Sequence, residues 1–167
     1  YYIGKKSNSG LITWTPELIS KMRENKAKSM VGERRLNTKP QIITNSFLDQ
    51  LNISYLREYA IKYYSVDNYL DKYKLMIEVM GDYWHSNPTR YNQIKYKLNE
   101  KQLDGIHRDK LKYSYVKNHY NIEILYLWET DILKRPDVCI NLIKEYVDND
   151  GILANYNSFN YSISENN

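Results

Sequence analysis

The sequence predicts an α/β/α sandwich built on a mixed β-sheet. Three observations carry this reading. Three short β-rich runs follow one another between residues 53 and 84, parted only by brief polar breaks. A long, basic, turn-poor stretch then leads into the strongly apolar run NIEILYLWE. Segments with helical start signals lie before the first run and after the last. The order is helix, three strands, long helix, strand and helix, so helices are available to cover both faces of the sheet.

The elements are justified in turn. Thr15-Pro16-Glu17 reads as an N-cap, a first helical position and an acid matched to the helix dipole, opening a helix over about residues 15–30. Its apolar residues are sparse (Leu18, Ile19, Met22, Met30) and its bases many, so residues 1–35 read as a basic N-terminal helical appendage. GERRLN is a polar break. Thr38 then caps a second helix running to about Leu51, with Ile42, Ile43, Phe47 and Leu51 near helical spacing and expected to pack on the sheet.

ISYLREYAI, YYSVDNYLD and KLMIEVMGDYW are read as a three-strand meander. Residues 89–119 form a long basic helix in this reading, and NIEILYLWE forms the next strand. Pro136-Asp137 opens a last amphipathic helix bearing Val138, Ile140, Leu142, Ile143 and Tyr146. These elements place the main domain at 36–150. The Asn/Ser/Tyr-rich segment NYNSFNYSISENN has no periodic signal, and 151–167 is expected to be a polar tail.

At 167 residues the chain has about the length of one domain plus short appendages. Its single cysteine, Cys139, excludes an internal disulfide framework, and one cysteine with three histidines cannot build the usual structural zinc sites. No apolar run approaches the roughly 20 residues of a membrane span, and a soluble protein of a reducing cytoplasm is expected. The net charge of +4 is unevenly placed. Residues 1–35 hold eight Lys/Arg against three Glu, and 89–119 hold eight against three acids, while 120–167 holds three against eight. Two basic segments suggest surfaces that meet a polyanion, although solvated helix faces would give the same pattern.

Two strand acids stand out. Asp67 lies within YYSVDNYLD and Glu78 within KLMIEVMG, and pairing of the two strands across the turn near Leu70–Tyr73 would bring them together. Buried strand carboxylates need a compensating cation, so the pair is a candidate site for a hard divalent metal; the alternative is that both face solvent. Downstream, Gly81 permits close backbone approach, and His85 offers a group for proton transfer or else a satisfied structural histidine. Asp109, between Arg108 and Lys110, is either a group that orients His85 or an intrahelical salt-bridge partner. Tyr83 and Trp84 by themselves read as core residues.

VDNYLDKYKLMIEVMGDYWH followed by HRDKLKYSYVKNHYNIEILYLWE resembles the very-short-patch repair (Vsr) endonucleases and the related phage homing endonucleases called EDxHD, both within the PD-(D/E)xK nuclease superfamily. The likeness spans roughly Thr38 to Ile132, with Asp67, Gly81, Trp84-His85, Arg108-Asp109 and Trp128-Glu129 as ordered anchors. It implies a restriction-endonuclease-like α/β/α sandwich with an α-β-β-β-α-β core. It also implies that Asp67 and the main-chain carbonyl of Val79 coordinate Mg²⁺, with Mn²⁺ able to substitute, and that His85 and Asp109 are the acid/base pair. Glu78 holds the acid position of the superfamily's E-x-K pattern and is an additional expected ligand, while Met80 stands where the lysine would be. The helix glutamate of the family falls at Gln41, which keeps shape and hydrogen bonding but not charge, and so leaves open an inactivated variant.

The function implied is Mg²⁺-dependent hydrolysis of phosphodiester bonds in duplex DNA, by a site-specific homing endonuclease encoded by a phage or mobile element and acting in the cytoplasm of a bacterial host. Arg90, Lys95, Lys97, Lys101, Arg108, Lys110 and Lys112 are expected along the DNA backbone track, and Tyr83 and Trp84 are expected to push into the duplex. One active site cuts one strand, so a double break calls for a homodimer on DNA or for sequential nicking. A Vsr-type mismatch nickase is the alternative within the enzyme class, disfavoured because Vsr proteins carry a Cys/His zinc site that this chain lacks. A non-cleaving DNA-binding module with a degenerate nuclease fold is the alternative outside it, as is a Tyr-rich interaction protein whose DNA binding would be absent or insensitive to salt.

Overall fold

The computed structural model describes residues 15–30, 38–91 and 97–152. Its elements are α1 (Pro16–Met30), α2 (Lys39–Gln50), β1 (Leu56–Ile61), β2 (Tyr64–Leu70), β3 (Leu75–Met80), α3 (Glu100–Tyr120), β4 (Ile124–Trp128), α4 (Glu129–Lys134) and α5 (Pro136–Asp148). The sheet runs in the order β1-β2-β3-β4. β1/β2 and β2/β3 pair antiparallel, and β3/β4 pair parallel after the long α3 crossover. The expected mixed sheet with flanking helices and an α-β-β-β-α-β core is therefore observed.

Alternation along the strands sorts two apolar layers. Leu75 and Ile77 of β3 join Leu125 and Leu127 of β4, Phe47 and Leu48 of α2, Ile132 of α4 and Ile143 of α5 on one face. Met76 and Met80, with Tyr126 and Trp128, meet Ile106 and Val116 of α3 on the other. All five residues of β4 are buried, which is why NIEILYLWE reads as a continuous apolar run rather than an alternating one. The Tyr146 hydroxyl ties α5 to β3, accepting from Met76 N–H at 3.3 Å with the carbonyls of Met76 and Glu123 both in reach of its proton.

Boundaries near strong local signals fall where expected. Thr38 caps α2 in a reciprocal capping box with Gln41, and Pro16 and Pro136 open α1 and α5. The long basic helix is a correction. It begins at Glu100 with an Asn99/Gln102 capping box, whereas turns occupy residues 82–86 and 88–90. The cap competes successfully with helix extension because it satisfies otherwise orphaned main-chain donors. The short helix α4 was not anticipated. α1 lies against the β1–β2 hairpin, with Ser20 Oγ 2.7 Å from Tyr63 Oη and Glu24 3.7 Å from Lys62. Residues 1–14 and 31–35 of the expected appendage, residues 153–167 of the expected tail and Lys95 lie outside the described residues. No helix among the described residues is long and apolar enough to cross a membrane.

Candidate active site

The β2/β3 register pairs Asn68 with Ile77, so its next position sets Asp67 across from Glu78. The ladder yields there to a side chain: Asp67 Oδ2 accepts the Val79 main-chain N–H at 2.7 Å. Glu78, between the two α3-facing methionines Met76 and Met80, is turned into the same layer and is only 6% exposed. Such a carboxylate needs a partner. Lys112 of α3 supplies it at 2.5 Å, and the same ammonium donates to the Ser65 carbonyl at 3.1 Å.

This arrangement corrects one expectation. Lys112 is drawn inward rather than placed on the phosphate track, because it lies on the buried stripe of α3 that includes Gly105, Ile106, Asp109 and Val116. Met80 is core, and the ammonium against Glu78 comes from α3 instead. Burial pushes the Glu78 carboxyl up to about 8 against the pull of Lys112. Burial likewise works against the Lys112 charge, but Glu78, Asp67 and Asp109 outweigh it and hold the ammonium above its usual range.

A third acid, Glu58, faces Asp67. The β1/β2 register pairs Arg57 with Asn68 and Tyr59 with Val66, and Glu58 sits between them in a left-handed conformation (φ 48°). Gln41 joins the two acids, its Nε2 donating to Asp67 Oδ1 at 2.9 Å and to Glu58 Oε1 at 3.3 Å. Burial, and the negative Asp67 beside it, raise the Glu58 carboxyl above its ordinary value. Sequence reasoning missed Glu58, yet a signal existed. Glu58 and Asp67 are symmetric about Lys62-Tyr63, and a two-residue hairpin turn there sets them opposite.

His85 Nδ1 lies 2.6 Å from Asp109 Oδ2, with Asp109 buried and His85 partly exposed. An ionised carboxylate can only accept, so the pair fixes the tautomer with the proton on Nδ1 and leaves Nε2 as the base. The segment bearing His85 is anchored on both sides. Asp82, 2% exposed, accepts from Asn87 Nδ2 at 2.8 Å and from the Thr130 hydroxyl of α4, and pairs with Arg90 at 3.0 Å. Its own N–H donates to Glu129 Oε2 at 3.1 Å. Toward α3, Gln102 Nε2 donates to the Tyr83 carbonyl at 3.2 Å. A Cβ at Gly105 would stand 2.9 Å from the Trp84 carbonyl oxygen, so that glycine permits the approach that brings His85 to Asp109 one turn later.

The aromatic pair does not pack in the core. Tyr83 is 47% and Trp84 65% exposed, packed edge to face with ring centroids 5.1 Å apart beside His85. Lys97, Lys101, Arg108 and Lys110 are exposed, as is Arg90 despite its ion pair to Asp82.

Among the described residues, no group of three or more His, Cys, Asp and Glu converges as a metal cage. The oxygen-rich place is the cradle of Asp67 and Glu58 beside Val79, with Glu78 engaged by Lys112. Carboxylate oxygens of this kind suit a hard cation such as Mg²⁺, which keeps several of its waters and needs few protein ligands. The donor chemistry therefore fits, with the Gln41 amide standing between the two carboxylates.

No family model matches the chain. Among curated proteins it is similar to the type II nicking enzyme V.NmeDIP of Neisseria meningitidis serogroup C, at 23% identity over 128 residues covering 74% of this chain and 86% of that protein. Among solved structures it is similar to the I-Bth0305I homing endonuclease catalytic domain, at 23% identity and a TM-score of 0.48, covering 67% of this chain and 97% of that one.

Proposed function

We propose that this chain is a metal-dependent DNA endonuclease of the Vsr-like, EDxHD type, hydrolysing phosphodiester bonds in duplex DNA as a site-specific phage-type homing enzyme. The observation that carries the reading is the placement of a carboxylate cradle (Asp67, Glu58) and an oriented histidine pair (His85–Asp109) around one buried ammonium, Lys112, which acts electrostatically with all four acids including Glu78. The name of the nicking enzyme similar to this chain supports the same chemistry.

In this reading Asp67 and the Val79 carbonyl would hold Mg²⁺ or Mn²⁺, joined by Glu58, and a cation held there would supply charge neutralisation at the scissile phosphate and lower the pKa of a water. His85 Nε2 takes up or returns a proton at the reacting oxygen, and Asp109 stabilises the imidazolium that forms. Lys112 balances the negative charge of the cradle so that an anionic phosphate can approach. Tyr83 and Trp84 offer exposed rings to a base step, and Lys97, Lys101, Arg108, Lys110 and Arg90 offer charge to the backbone. Lys95 belongs to the same proposed track.

A second reading has a specific observation in its favour. Gln41 satisfies Asp67 and Glu58 with an amide, which is the arrangement expected of a DNA-binding module that does not cut. Incubation of long duplex DNA with the chain and with its Gln41→Glu variant in Mg²⁺ separates the two. Nicks or breaks from either protein, abolished by His85→Ala, are expected of the endonuclease. Salt-sensitive DNA binding with no cleavage by either would establish the non-cutting module instead.

A further inference from the structure

The Gln41 side chain is held at both ends. Its Oε1 accepts from Thr38 N–H at 3.2 Å and from Thr38 Oγ1 at 2.8 Å. A main-chain N–H can only donate, so the oxygen must be the atom at the cap and the NH₂ the atom that faces the sheet. That NH₂ meets acids from two different strands, Asp67 of β2 at 2.9 Å and Glu58 of β1 at 3.3 Å. A donor shared by two carboxylates does there what a cation does, supplying positive charge to both oxygens, but it carries only a partial charge.

We infer that the Gln41 carboxamide occupies the position between Glu58 and Asp67 that a divalent cation takes, and so competes with the cation for the same two oxygens. This deepens the endonuclease reading and rests on it for the class of cation. It differs from the simpler idea that Gln41 is a missing ligand. A missing ligand leaves metal affinity unchanged when the side chain is cut back, whereas a competitor, once removed, frees both carboxylates. A glutamate at this position would keep one oxygen on Thr38 and turn the other toward Asp67 and Glu58, making three acids that only a cation can reconcile.

The test is Mn²⁺ binding to the full chain without DNA, read from the electron paramagnetic resonance signal of free Mn²⁺. Gln41→Ala is expected to bind Mn²⁺ about tenfold more tightly than the unsubstituted chain, the scale set by losing charge-assisted hydrogen bonds that the metal otherwise has to displace. Gln41→Glu should bind at least as tightly as Gln41→Ala, and adding Glu58→Gln to Gln41→Ala should return affinity to the starting level or below. Gln41→Ser, which leaves the same space open, carries the same expectation and serves if circular dichroism finds the alanine variant unfolded. Equal or weaker Mn²⁺ binding by the folded alanine or serine variant overturns the inference. DNA cleavage does not enter the readout, so a chain that gains Mn²⁺ affinity on losing Gln41 but never binds DNA would sink the endonuclease reading and leave the competition standing.

Discussion

The Lys112 ammonium and the Glu78 carboxylate meet at 2.5 Å between β3 and α3, each largely withdrawn from water. Asp67 of β2 and Asp109 of α3 both act electrostatically on Lys112. At pH 9, where Glu78 is ionised beside Lys112, Lys112→Met removes one partner and leaves the buried carboxyl charged and unpaired or obliged to take up a proton, which is expected to cost about 3–5 kcal/mol in denaturant unfolding. The double variant Lys112→Met/Glu78→Met should regain most of that loss, because two apolar side chains replace two desolvated charges. Equal stability of the single and double variants would contradict the assignment.

The close approach at Gly105 gives a second expectation. Gly105→Ala places a methyl group against the Trp84 carbonyl, a main-chain atom with little room to give. Destabilisation of about 1–3 kcal/mol is expected from overpacking. The more telling readout is the low-field proton resonance of His85 Nδ1 bonded to Asp109, which should weaken or vanish as the loop moves away from α3. A variant that is destabilised but keeps that resonance unchanged would show that Gly105 serves packing alone.

The exposed aromatics separate stability from binding. Trp84 is 65% exposed, so Trp84→Ala should alter unfolding free energy by no more than about 0.5 kcal/mol. Its affinity for duplex DNA, followed by fluorescence anisotropy, should fall about tenfold if the ring stacks on a base. Loss of stability with unchanged affinity would make Trp84 a packing residue after all.

The basic residues of α3 divide by orientation. Lys101→Ala and Lys110→Ala, both at exposed positions, should each lower the slope of log affinity against log salt by about 1, the signature of a lost phosphate contact. Slopes that match the unsubstituted chain would remove those lysines from the DNA surface.

Cys139 is fully buried against the α2/α4/α5 layer, and burial pushes its thiol up to about 11. At pH 8 only about one thiol in a thousand is then ionised, and that one is shielded. Ellman's reagent should therefore react with the native protein only as fast as the fold opens, and at ordinary speed in denaturant. Rapid labelling of the native state would show that α5 is not seated as described.

Local chemistry made much of this protein readable from its residues alone. Thr38 before a run of helical apolar positions, the prolines at 16 and 136, and the apolar NIEILYLWE each act within a turn or a strand, so the mixed α/β class and the order of the elements other than α4 follow from sequence. Asp67, His85 and Asp109 were legible as candidates because their residue types are costly or reactive in such settings. What the tertiary structure alone decided is which of these groups meet. The inward turn of Lys112, the entry of Glu58 into the cradle, the outward turn of Trp84 and the start of α3 at Glu100 all depend on register and packing between elements distant in the chain. A charge is buried only where a partner meets it, and for Glu78 that partner arrives from another element, an arrival of which periodicity within one helix or strand carries no record.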